Sequence, residues 1–138
     1  TIDNMVRNEV ENLAKSKKYD LAIAKLSNEI FKKNNATAAD FNTLGTYFIL
    51  TKQYQKALEN IKKAQLLDDT DLNIKLNLAH VFMLTDELKL AKSIHQKYKN
   101  QNLNTTQNWI EKTKLDFDLF QKTGLPTENY NKILRILE

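Results

Sequence analysis

His80 and His95 are the only side chains in this chain that offer an imidazole nitrogen to a metal or a proton. They fall on different helical stretches, and neither has a second histidine four residues on or sits in an HExxH frame, so a zinc site is not expected. His95 lies on a packing stripe and reads as a core or boundary residue, whereas His80 reads as facing a groove. Asp116 and Asp118 flank Phe117 and are the nearest approach to a general acid and base pair. Residues two apart on a helix point in divergent directions, so this pair reads as a solvated face.

The run "DDTD" at 68 to 71 sets carboxylates around a hydroxyl, as a calcium loop would, but lacks the glycine and the distant glutamate of an EF-hand. It reads as a helix cap. Gly45 and Gly124 are the only glycines, so no glycine-rich phosphate loop exists. The chain has no cysteine, which removes disulfides, thiolate metal sites and cysteine nucleophiles together. No serine or tyrosine has a local partner that would activate it. The expectation is a protein that is not an enzyme and carries neither metal nor cofactor.

The elements that would hold a binding surface are helices. Two glycines and one proline among 138 residues, with abundant Leu, Ala, Lys and Glu, favour long helices with short connections and an all-α fold. The longest apolar runs are four residues, as in "VFML" at 81 to 84, so no membrane span or signal sequence is expected. The chain opens on Thr1 rather than Met, the expectation for a segment of a longer protein. A cytoplasmic setting is the default, with export left open. The formal charge is +4, carried by nineteen Lys against two Arg. Readers of nucleic acid favour the bidentate Arg fork, and sixteen Asn beside the Lys point to compositional bias rather than phosphate contact.

Apolar residues recur at helical spacing. Met5, Val6, Val10, Leu13 and Ala14 form one stripe, and Tyr19, Ala22, Ile23, Leu26 and Ile30 the next, joined by the short polar "KSKK" that makes them antiparallel neighbours. Asn34 and Asn35 suit a left-handed turn, and Thr37 with Asp40 reads as a capping box for a helix starting near Ala38. That helix carries Phe41, Leu44, Gly45 and Phe48, and its partner Tyr54, Ala57, Ile61 and Ala64. A third hairpin pairs Leu78, Ala79 and Phe82 with Leu88, Ala91, His95 and Tyr98. Past residue 101 the spacing changes: Trp109, Thr113, Phe117 and Phe120 mark a long helix, Gly124 stops it, and Pro126 opens a short helix with Tyr130, Ile133, Leu134 and Leu137.

Tyr19-x-x-Ala22, Tyr54-x-x-Ala57 and Leu88-x-x-Ala91 recur at 35 and 34 residues, the period of a two-helix solenoid repeat. With Phe41-x-x-Leu44-Gly45-x-x-Phe48 and Ala57-x-x-x-Ile61-x-x-Ala64, the middle copy resembles the tetratricopeptide repeat. The resemblance implies a right-handed superhelical array of about eight helices in one domain. Residues 3–36 are a degenerate copy, 38–71 the best, 72–100 the third, and 105–138 a pair of helices that caps the array. It also implies a protein or peptide partner in a concave groove walled by first helices. The groove residues it assigns are Asn42, Thr46, Ile49 and Leu50, then Asn73, Leu76, Asn77, His80, Met83 and Leu84, with Arg7 and Glu11 added by the first copy. A clamp for chaperone C-termini would need more than Arg7 and Asn77, because Glu11, Asn42, Thr43 and Thr46 occupy its other places. The alternatives are an RNA-binding helical repeat and a spacer or self-association element. A monomer is expected.

Overall fold

The computed structural model describes residues 1–138. The chain is all-helical: α1 (Ile2–Lys15), α2 (Tyr19–Glu29), α3 (Ala38–Leu50), α4 (Tyr54–Leu67), α5 (Leu72–Leu84), α6 (Leu88–Tyr98), α7 (Trp109–Lys122) and α8 (Tyr130–Leu137), with a 3₁₀ turn at Phe31–Lys33. No helix is long and apolar enough to cross a membrane. The chain divides into two compact units, Thr1–Asp68 and Asp69–Glu138.

In the first unit α1 packs on α2, α2 on α3, and α3 on α4. The buried stripe of α1 centres on Val6 and Val10, while Met5, expected on it, is exposed. Ala22, Leu26 and Ile30 bury the facing side of α2 and the turn after it. The helix starts are set by side chains. Thr1 accepts from the Asn4 amide, and Thr37 and Asp40 form the expected capping box at α3. Between α2 and α3 the chain does not stop at once after Ile30. The 3₁₀ turn carries it on to Asn34, whose left-handed conformation (φ 58°) ends it.

Three corners in the chain are built alike. Lys17, Lys52 and Asp86 each join the two helices of a hairpin at φ 61°, 61° and 62°. In each, the next residue donates its amide back across six residues: Lys18 to the Leu13 carbonyl at 2.9 Å, Gln53 to Phe48 at 2.8 Å and Glu87 to Phe82 at 2.9 Å. This is the Schellman closure, which satisfies carbonyls that a helix end leaves open. Those corners sit 35 and 34 residues apart, so the period read in side chains is also a period in backbone conformation.

In the second unit α5 packs on α6 and α8 on α6. Asp71 caps α5 by accepting from the Asn73 amide, the role expected of the acidic run. The link from α6 to α7 is pinned by bonds from the Trp109 amide to the Gln101 carbonyl (3.0 Å) and from Leu103 to Gln107 (2.9 Å). Asn108 caps α7 through the Glu111 amide. Gly124 (φ 86°) closes α7 with a bond of the same Schellman kind, Leu125 to Phe120 at 2.9 Å. Nothing lies within 4 Å of an added Cβ at Gly124, so conformation rather than space requires glycine there. Pro126 does not open α8, which begins four residues later at Tyr130. The Tyr130 ring stacks on Phe117 at 4.5 Å, and Lys99 donates to the Ile136 carbonyl at 3.0 Å, fastening α8 to α7 and α6.

Candidate functional site

In the first unit, α1 and α3 line an open cleft of about 370 Å³. Val10, Leu26 and Ala39 form its apolar part, and Arg7, Glu11, Thr43 and Tyr47 offer polar groups to it. Spacing makes this face: Arg7 and Glu11 are four apart on α1, as are Thr43 and Tyr47 on α3, so each pair stands on one side of its helix.

One wall is braced by an ion pair. Arg7 Nε donates to Asp40 Oδ1 at 2.8 Å and Nη2 to Oδ2 at 2.7 Å, a bidentate fork, while Nη1 reaches Asn4 Oδ1 at 2.9 Å. Asp40 also accepts from the Thr37 amide at 2.9 Å. Burial pushes the Asp40 carboxyl up, but the Arg7 hydrogen bonds, the Thr37 amide and the Arg7 charge together hold it below the usual range. Arg7 is raised in return, chiefly by its bond to Asp40. Tyr47 is buried, and burial, then the charge of Glu11, then Tyr19 push its phenol up to about 12. The hydroxyl therefore remains a donor at physiological pH. Hydroxyls, carboxylates and a pre-oriented guanidinium around an apolar floor make a surface for hydrogen bonding and side-chain burial.

The second polar cluster is closed. His80 Nε2 lies 2.9 Å from Asp116 Oδ2, and Lys112 Nζ donates to Asp116 Oδ1 at 2.6 Å. Trp109 Nε1 donates to His95 Nδ1 at 2.9 Å, which puts the His95 proton on Nε2. Burial, and secondarily the His80 charge, lower the His95 pKa to about 3, so it is neutral. Phe120 stands edge-on to His80 at 5.0 Å and Phe117 lies 5.7 Å away. Both histidines are fully buried, and Asp116 is buried beside His80. Asp116 is correspondingly not on a solvated face; only Asp118 is. Burial raises the Asp116 carboxyl, and the His80 bond, the His80 and Lys112 charges and the Lys112 bond together bring it below the usual range. No group of three or more His, Asp or Glu side chains converges as metal ligands.

The groove residues expected from the sequence separate into two sets. Ile49, Leu50, Leu76, Asn77, His80 and Met83 are buried, closed to solvent rather than forming an open wall. Asn42 and Thr46 are half-buried, and Thr46 spends its hydroxyl on the Asn42 carbonyl at 3.2 Å. Asn73 is exposed beside its cap partner Asp71, and Leu84 is half-buried against Asn129 and Pro126. None of these lines the α1 and α3 cleft, whereas Arg7 and Glu11 do. Tyr47 is absent from the expected set, and Thr43, which the resemblance sets only at an unfilled clamp place, lines the cleft; each is one helical position from an expected residue. Their signal was the polar series Asp40, Thr43, Tyr47 at i, i+3, i+7. No protein-family model, curated protein or solved structure matches this chain.

Proposed function

We propose that this chain is a protein-interaction module of the tetratricopeptide kind, a stack of helical hairpins that takes a peptide segment in the cleft lined by α1 and α3 and catalyses nothing itself. The observation that carries this reading is the cleft: first helices of two successive hairpins line it, and its polar groups come in i, i+4 pairs around an apolar floor. The repetition of one corner at Lys17, Lys52 and Asp86 supports the array reading. An extended or helical segment would use the floor for one apolar side chain and Tyr47, Thr43 and Glu11 for hydrogen bonds.

The test is selection from a phage-displayed peptide library on the immobilised chain, followed by titration against Thr43→Arg. Thr43 is half-buried at the rim, so the longer side chain fills the cleft without displacing core. Selected peptides should lose about tenfold or more in affinity, with an unchanged helical melt. Peptides that bind Thr43→Arg as well as the unaltered chain would remove the cleft from consideration.

A further inference from the structure

We infer a second docking surface, on the opposite end of α3 from its corner, shaped for an acidic segment with leucine or phenylalanine anchors. A shallow pocket of about 370 Å³ is lined by Phe31, Asn34, Ala36, Phe41, Lys63 and the α4 pair Leu66 and Leu67. It shares no lining residue with the cleft above. Its floor is aromatic: Phe31 and Phe41 meet edge to face at 4.9 Å. Its rim is aliphatic and unusually open, with Leu66 87% and Leu67 60% exposed. Single exposed leucines are ordinary, but two consecutive ones beside a paired aromatic floor make a continuous apolar face that gains from being covered.

Charge selects the occupant. Lys63 stands on the rim with Nζ 5.9 Å from the Phe41 ring centroid, and Leu66 and Leu67 are three and four residues on, over the same side of α4. Lys62 precedes it on α4, and Lys32 and Lys33 follow Phe31; all three are exposed, and none of the four lysines is ion-paired. No carboxylate lines the pocket. The nearest in sequence are Asp40 beside Phe41, which is held by Arg7, Glu29 two residues before Phe31, which is paired with Lys25, and Asp68 just past the end of α4. An apolar floor with the Lys63 ammonium on its rim, and three more exposed lysines each one residue from a lining residue, suits side chains that bring both a hydrocarbon anchor and carboxylates, and it repels a basic segment.

The probe is a fluorescein-labelled amphipathic peptide with Leu and Phe on one face and Glu on the other, read by anisotropy beside a counterpart with Lys for every Glu. The acidic peptide should bind saturably, more weakly as salt rises, and about tenfold or more tighter than its basic counterpart. Leu66→Asp with Leu67→Asp, at exposed positions, should cost about tenfold or more, and Lys32→Glu with Lys63→Glu should reverse the preference between the two peptides. Thr43→Arg should change nothing, which separates this surface from the cleft. Equal binding of both peptides, indifference to the leucine variant, or loss on Thr43→Arg would overturn the inference. So would light scattering that finds a dimer of the unaltered chain broken by the leucine variant, because the occupant would then be a second copy.

Discussion

The backbone of Gly45 lies directly against the side chain of Ile61, so close that a Cβ on residue 45 would stand 2.5 Å from Ile61 Cγ1 and 3.2 Å from its Cδ1. Cγ1 is bonded directly to Cβ of a fully buried residue, so it is not the free end of a flexible side chain and yields only if its close-packed surroundings shift. This contact sets how closely α3 and α4 approach. Gly45→Ala gains about 1 kcal/mol of helix propensity and loses about 1–3 kcal/mol to overpacking, so a net destabilisation of about 1 kcal/mol is expected in urea melts. Ile61→Ala opens space, and the double variant should be more stable than the sum of the two single losses by about 1 kcal/mol. A Gly45→Ala protein as stable as the original would show that the helices are not held at contact distance here.

The corner lysines carry strain that glycine would not. A side chain in the left-handed region costs roughly 1–2 kcal/mol, whereas glycine costs about 0.5–1 kcal/mol in unfolded-chain entropy. Lys17→Gly and Lys52→Gly should each stabilise by about 0.5–1 kcal/mol, and Asp86→Gly by less, because aspartate tolerates this conformation better. Lys62→Gly, at an exposed position inside α4, should lose about 1 kcal/mol in thermal melts of the same set of variants.

Helices and corners were readable because they depend on local spacing: apolar periodicity placed every helix, and Thr37, Asp71 and Gly124 ended or began them as their chemistry requires. Facing was harder. A step of one residue rotates a helical side chain by about 100°, enough to exchange Asn42 and Thr46 for the neighbours Thr43 and Tyr47 that line the cleft. Burial of charge was harder still. Asp116 continues the stripe Trp109, Thr113, Phe120 at i, i+4, i+7, i+11, so its position was visible, but a carboxylate is placed inside only when its partners are known. Those partners, His80 at 36 residues' distance and Lys112 on its own helix, come from the tertiary fold.

The Arg7 and Asp40 fork predicts an acid limb of known sign. Because the folded Asp40 pKa is depressed, its stabilisation is fully present above the carboxyl's unfolded value and disappears as pH falls through the folded value. Asp40→Asn should therefore be less stable than the unaltered chain at pH 7 and converge with it in strong acid. Arg7→Met, which keeps the hydrocarbon stem but strands a buried carboxylate, should cost about 1–3 kcal/mol at pH 7 and make Asp40 easier to protonate. Parallel stability curves for all three proteins from neutral pH into strong acid would contradict the assignment.

His95 makes the same argument for a neutral group. Unfolded histidine titrates near 6.5, and His95 in the fold, buried with its Nδ1 accepting from the Trp109 indole, titrates at about 3. Between those values the unfolded chain holds a proton that the folded chain refuses, so stability declines as pH falls from about 6.5 toward 3. His95→Gln supplies an amide oxygen to the indole N–H and cannot titrate, so its stability should fall less steeply across this window. His95→Leu should also be flatter, yet lie lower at every pH by about 1–3 kcal/mol, because the buried indole N–H loses its acceptor. Chemical denaturation at a series of pH values measures both slopes, and a glutamine variant as acid-sensitive as the parent would place the proton uptake elsewhere. The upper part of the window is the most telling, since Asp116, the carboxylate beside His80, is held below the usual carboxylate range and is already ionised there.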